Sequence, residues 1–222
     1  MLKNELALIA GIVASDGHLE RDGCGVKVIS TSSAFTFGVV VPLLKRYVPK
    51  VSVYTGKTGF SRKRKFIAYV YSKGLSEALS RQYRIPKGKK ALSMKAPRML
   101  GLSERLGYLR GWFAGEGCVS RDIHKENGNR YVCPEIELWV KNKHIANWIY
   151  GSLLVYGINA KLFRSKKRKQ FLVIVRERKS VFLFAEKIGF VHPEKQEKLK
   201  TILRGLSMPQ NQNVARQFGG IS

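Results

Sequence analysis

Two nearly uncharged stretches of the chain repeat one pattern of large and small apolar side chains. Leu6 to Gly17 reads LALIAGIVASDG, and one hundred positions later Leu106 to Gly117 reads LGYLRGWFAGEG. Each is apolar for about three turns with a small residue at every fourth position: Ala7, Gly11 and Ser15, then Gly107, Gly111 and Gly115. Residues four apart lie one above another on a helix, so each stretch presents a flat stripe to a close neighbour. A helix with so little charge around it is buried. The pattern predicts two buried helices packed against each other through these stripes.

Between and after them the apolar period changes. Asn4 suits a helix cap and Glu5 the first turn, and Asp22-Gly23 suits a hairpin turn. Val26 to Thr31 reads as a strand, Phe35 to Tyr47 as a helix ending near Pro49, and Val51–Thr55 and Phe66–Tyr71 as strands. A helix follows from about Lys73 to Tyr83. The second half repeats the order. Ser103 is its first cap, and SRDIHKENGNR reads as a long polar loop. In Pro134–Lys141, Ile136, Leu138 and Val140 alternate with Glu135, Glu137, Trp139 and Lys141. His144–Tyr156 is the next helix, AKLFR and QFLVIVR are strands, and Val181–Ile188 is the last clear helix. The expected organisation is a first repeat over 1–97, a linker about 93–102, a second repeat over 103–207, and a polar, Gly-rich tail over 208–222. Each half offers too little core to stand comfortably alone. Joined through the stripes they make one pseudo-symmetric body.

Each motif helix ends in an acid and a glycine. Asp16 and Glu116 stand at helix C-termini, where the macrodipole disfavours negative charge by a few tenths to ~1 kcal/mol. Gly17 and Gly117 suit the left-handed position that closes a helix. In parallel packing the two carboxylates also approach each other and need a cation between them or a shared proton. This points to a divalent metal site. The plainer alternative is a pair of core helices whose acids point into water.

The nonamers IAGIVASDG, Ile9 to Gly17, and LRGWFAGEG, Leu109 to Gly117, resemble the LAGLIDADG motif of homing endonucleases. Each keeps the central Gly, the penultimate acid and the final Gly. Ala14 and Ala114 replace an Asp that the family does not need for metal, and Arg110 is a departure at the helix surface. The resemblance implies an α+β fold of two αββαββα repeats in one chain, with antiparallel sheets forming a DNA-binding saddle. It implies a site-specific double-strand DNA endonuclease that hydrolyses phosphodiesters at a long target with Mg²⁺, with Mn²⁺ as a substitute and Ca²⁺ binding without cleavage. Asp16 and Glu116 would be the catalytic metal ligands, with Ser15 and Gly115 assisting through the backbone. Lys90 and Lys195, in the equivalent segments Ile85–Leu92 and Val191–Leu199, would lie near the scissile phosphate, with Lys89 a neighbour. A catalytically silent RNA maturase or DNA-binding regulator of the same fold is the alternative, with intron RNA as a further partner. An rRNA-binding structural protein is a weaker third.

Composition narrows the partner. Forty-one Lys and Arg against fifteen Asp and Glu leave a net charge of +26, while 44% hydrophobic residues suffice for a core. Such a domain is most simply a binder of nucleic acid, with an anionic membrane surface as the rival partner. No apolar run approaches the ~18 residues that span a bilayer, and no convincing cleavage region follows the first apolar run. A monomeric intracellular protein, cytoplasmic or nucleoid-associated, is expected. Cys24, Cys118 and Cys133 lack metal-ligand spacing and read as reduced thiols.

Two basic runs, Arg62, Lys63, Arg64, Lys65 and Lys166, Lys167, Arg168, Lys169, recur at an offset of 104. One such run is a solvated hairpin tip; two on paired hairpins would track phosphate backbone at both ends of the saddle. Lys27, Lys141, Arg164 and Arg176 join them as candidate DNA contacts. Glu135 and Glu137 are either readers of cytosine or partners of nearby Lys and Arg. Tyr69, Tyr71, Trp112 and Phe113 read as core, and no His is assigned to catalysis.

Overall fold

The two apolar stretches are helices α1 (Lys3–Asp16) and α5 (Leu102–Gly115), and they form the centre of an α+β fold. The computed structural model describes residues 3–56, 64–90, 92–98, 100–126 and 129–207. After α1 come β1 (Gly17–Leu19) and β2 (Gly25–Ser30), then a continuous helical run of α2 (Ser33–Phe35), a π-helical turn (Thr36–Val40) and α3 (Val41–Lys45). Pro42 has no N–H to return to the turn before it, and the helix widens just ahead of it. Then follow β3 (Ser52–Gly56), β4 (Lys65–Tyr71) and α4 (Lys73–Tyr83). The second half runs α5, β5 (Gly117–Glu126), β6 (Asn129–Val140), α6 (Lys143–Val155), β7 (Lys161–Ser165), β8 (Gln170–Val175), α7 (Arg178–Lys187) and α8 (Pro193–Ser207).

The strands form two antiparallel sheets with the same order, β1-β2-β4-β3 and β5-β6-β8-β7. Alternation puts Val26, Val28, Ala68 and Val70 of one sheet, and Ile136, Leu138, Val173 and Val175 of the other, against the helices. The core is continuous through α1 and α5, which is why half the chain would not fold well alone.

The small-residue stripes meet in parallel register. A Cβ on Gly111 would stand 2.6 Å from the Ile12 nitrogen and against the Leu8 carbonyl; one on Gly11 would stand 2.8 Å from the Gly111 Cα. Asn4 and Ala7 abut Gly107, and Ser15 abuts Gly115. The halves are also tied at the side, where Phe35 stacks on His192 at 4.6 Å and the Ser32 hydroxyl donates to Glu194 at 2.6 Å.

Several local expectations change. Gly17 and Gly117 are not left-handed; both open strands. They are required by crowding: a Cβ on Gly17 would lie 2.9 Å from the Val13 Cα, and one on Gly117 2.5 Å from the Phe113 carbonyl. Asn4 lies inside the first turn, and Gly101, not Ser103, precedes α5, its N–H held by the Glu104 carboxylate at 3.3 Å. The polar loop after Glu116 is instead a long hairpin paired from Gly117↔Leu138 to Glu126↔Asn129. The two antiparallel arms satisfy each other's amides along their paired length, and the Asn-Gly pair at positions 127 and 128 was its sequence signal. The polar segment after His192 is a further helix, α8, whose Leu199 and Ile202 face the core. Trp112 and Phe113 are buried, but Tyr69 is half-buried and Tyr71 is 67% exposed, because strand alternation turns them away from Ala68 and Val70. The tail 208–222 lies outside the described residues.

Candidate active site at the paired helix ends

Because α1 and α5 run parallel and in register, their C-terminal ends lie together, and so do their acids. The Asp16 carboxyl carbon leans over the end of α5, where a Cβ on Gly115 would stand 3.0 Å from it. Burial raises the carboxyl pKa of both Asp16 and Glu116, and the Asp16 charge raises that of Glu116 further. Ser15 turns its hydroxyl inward, donating to the Gly11 and Ile12 carbonyls at 3.0 Å.

Two lysines complete the cluster. The Lys90 ammonium donates to the carbonyls of Val13, Ala14 and Ser15 at 2.6, 2.8 and 2.8 Å. The Lys195 ammonium donates to Ala114 at 2.7 Å and to Gly115. Each thus caps a helix whose last carbonyls have no amide partner. Burial lowers both lysines, Lys90 to about 8, although Asp16 and Glu116 oppose that shift. Lys89, next in sequence, lines together with Lys90 a cleft beside His18 and Glu20.

The segment that presents Lys90 is held from the second half. Asn142 precedes α6, accepts from the His144 and Ile145 amides, and donates to the Leu92 and Met94 carbonyls at 2.9 and 2.7 Å. Asn142, Trp139, Gln170 and Lys141 line a cavity of ≈190 Å³ together with Lys90 and Glu116. Asn142 was legible as a helix cap, but nothing local shows that its amide reaches across the repeats. Arg110 is likewise more than a surface residue, since its guanidinium donates to Lys187 and Ile188 at 2.9 Å at the end of α7.

The other predicted contacts divide. Glu135 is buried and ion-paired with Arg176, and Glu137 accepts from the Trp139 indole at 3.3 Å, so both have partners within the fold. Lys27 is paired with Glu20. Lys141, Arg164, Lys166 and Lys169 line one cleft at the end of the second sheet. Register places Arg164 beside Phe171, on the helix-side face rather than in the row of Trp139. Arg168 lies over the Trp139 ring at 4.2 Å. Arg64 donates to Thr55 at 3.4 Å and Lys65 opens β4. Arg62 and Lys63 lie outside the described residues.

Residues 103–189 match the family described as LAGLIDADG-like domain. This is a LAGLIDADG-fold protein. I-DmoI in complex with DNA and Ca superposes with a TM-score of 0.61 at 14% identity, covering 90% of this chain and 98% of that one. I-DmoI with DNA and Mn gives 0.59 at 15% identity over 85% and 97%. Full-length DUF199/WhiA from Thermatoga maritima gives 0.59 at 15% identity, over 95% of this chain and 63% of that one. A curated relative, glutamine–fructose-6-phosphate aminotransferase (isomerizing) of Methanocaldococcus jannaschii, is 28% identical over 127 residues, 51% of this chain. The match spans 11% of that relative's length. No helix among the described residues is long and apolar enough to cross a membrane.

Proposed function

We propose that this LAGLIDADG-fold chain is a site-specific endonuclease that hydrolyses both strands of duplex DNA with a divalent cation, acting as an intracellular monomer. The supporting observation is the pair of carboxylates, a half-buried Asp16 and a more open Glu116, at abutting helix ends with a lysine anchored on each end. The residues fit such a cation. The donors are hard oxygens, two carboxylates and the Ser15 and Gly115 carbonyls, and those carbonyls already grip a cation in the form of an ammonium. Among the described residues no three His, Cys, Asp or Glu converge, so main-chain oxygens would complete the set. Mg²⁺, with Mn²⁺ as a substitute, would supply polarisation of a scissile phosphate and an attacking water; Ca²⁺ would bind without supporting cleavage.

The chain's own residues do the rest. Asp16 and Glu116 carry the charge that holds the cation. Lys90 and Lys195 put positive charge where a phosphate would enter, and Lys90, with a pKa near 8, holds or releases a proton at Nζ close to neutrality. The basic runs and strand lysines hold the phosphate backbone on the two sheets.

A second reading, a silent RNA maturase or DNA-binding regulator, is favoured by one feature. The lysine ammoniums already satisfy the carbonyls that a metal would use. Incubation with a duplex DNA library, with and without Mg²⁺, separates the readings. Asp16→Asn and Glu116→Gln should each abolish double-strand cleavage, since an amide keeps the shape and loses the charge, while binding in Ca²⁺ stays largely intact. Double-strand cleavage by both variants would refute the assignment, and a wild type that binds without cutting in Mg²⁺ would favour the silent reading.

A further inference from the structure

The outward face of each sheet carries a row of apolar side chains that stands apart from the core around α1 and α5 and opens to solvent at its edge strand. In the first sheet Ile29, Ile67 and Tyr54 stand side by side across β2, β4 and β3. In the second, Trp139, Leu172 and Phe163 stand across β6, β8 and β7. The rows are equivalent. Gly17 pairs with Val28 as Gly117 pairs with Leu138, and each row begins one residue further along β2 or β6.

These residues are not part of the main core. Ile67 is 7% exposed, and Ile174, in the adjoining row, is 1% exposed, yet neither belongs to the apolar cluster around α1 and α5. The edge-strand members are open, Tyr54 at 45% and Phe163 at 46%. One exposed aromatic is ordinary; the same position open and aromatic in both repeats calls for a ligand. Basic side chains lie beside the rows, Lys27 paired there with Glu20, and an acid, Glu137, shares the face of the second. Lys27 lies 5.5 Å from the Tyr69 ring, Arg168 4.2 Å from the Trp139 ring, and Lys161 extends the second sheet's face.

The partner must therefore offer apolar groups set within negative charge. The major groove of duplex DNA does so: the C5 methyl of thymine is the apolar group on its base edges, and phosphates flank it. Three strands at 4.7–4.9 Å span about 10 Å, which fits a groove about 12 Å wide. We propose that the two rows read thymine methyl groups, with Tyr54 and Phe163 as specificity determinants, and that the target carries thymine at equivalent positions in its two halves. This rests on the DNA-binding reading above.

The test selects bound duplexes from a random library in Ca²⁺ and then replaces each thymine of the selected site by deoxyuridine, which lacks only the methyl. Wild-type protein should lose about fourfold in affinity for each methyl read, the effect of one buried methylene, at one or more positions in each half. Phe163→Ser should remove the discrimination in one half and Tyr54→Ser in the other, with the salt dependence of binding unchanged. Equal affinity for thymine and deoxyuridine at every position overturns the proposal and leaves the DNA-binding reading standing. Failure to retain any duplex overturns both. A dimer in sedimentation that Phe163→Ser dissolves would assign the rows to a second copy of the chain instead. The deoxyuridine comparison uses unaltered protein, so it stands whatever the variants do to folding.

Discussion

Lys90 and Lys195 supply the positive charge that a helix C-terminus favours, beside acids that it does not. Each ammonium satisfies carbonyls that have no amide partner and offsets an acid that the helix dipole disfavours. These partly desolvated charges leave a signature in stability against pH. Asp16 and Glu116 have raised carboxyl pKa values, so the folded chain holds their protons more tightly than the unfolded chain does. Their stabilising contribution is full below their ordinary values of 3.8 and 4.5 and is lost as pH rises through the raised values. Asp16→Asn should therefore melt higher than the parent at pH 7 in metal-free buffer, with the gain vanishing near pH 4. Lys90 has the opposite sign of proton linkage. Its pKa falls from 10.5 to about 8, so its cost is full below 8 and is relieved as pH rises. Melting temperature should rise between pH 8 and 10, and less so in Lys90→Met. Above 10 the raised Tyr83 and Tyr108 hydroxyls should pull stability down as the unfolded chain ionises. A Lys90→Met profile parallel to the parent's would contradict this account of Lys90.

At the scale of the element, the glycines separate by what surrounds them. A Cβ on Gly111 would meet backbone of α1 at 2.6 Å, and backbone cannot step aside as a side-chain tip can. Gly111→Leu should cost several kcal/mol, at or beyond the usual ~1–3 kcal/mol of overpacking, measured as a drop in denaturant midpoint. Gly151, inside α6, has nothing within 4 Å of the place where an alanine methyl would stand. There Gly151→Ala should stabilise by roughly 0.5–1 kcal/mol, the helix-propensity difference. If Gly111→Leu melts like the parent, the helices are not in contact as described.

At the scale of the molecule, both halves of the surface proposed to bind DNA belong to one chain carrying a net charge of +26. Duplex binding should need no second copy, and its affinity should fall steeply with salt, each neutralised phosphate adding about −0.9 to the log–log slope. Sedimentation with a salt titration checks both. A dimer at working concentration, or affinity indifferent to salt, would contradict this expectation.

The sequence by itself determined the two motif helices, their small-residue contact, the repeated order of strands and helices, and the acids at the site. Those features are written in short-range periodicity, twice, and the repetition makes each copy evidence for the other. The tertiary structure decided what depends on chain segments far apart. Gly17 and Gly117 looked like left-handed caps, but crowding by Val13 and Phe113 explains them. Lys90 rather than Lys89 reaches the carbonyls, because Asn142, some fifty residues later, holds its segment in place. Glu135 resolved into a buried pair with Arg176 only when β6 and β8 were in register. Tyr69 and Tyr71 face outward for the same reason, since strand pairing chooses which of two alternating faces meets the helices. A local pattern offers two faces; only the partner strand or helix selects between them.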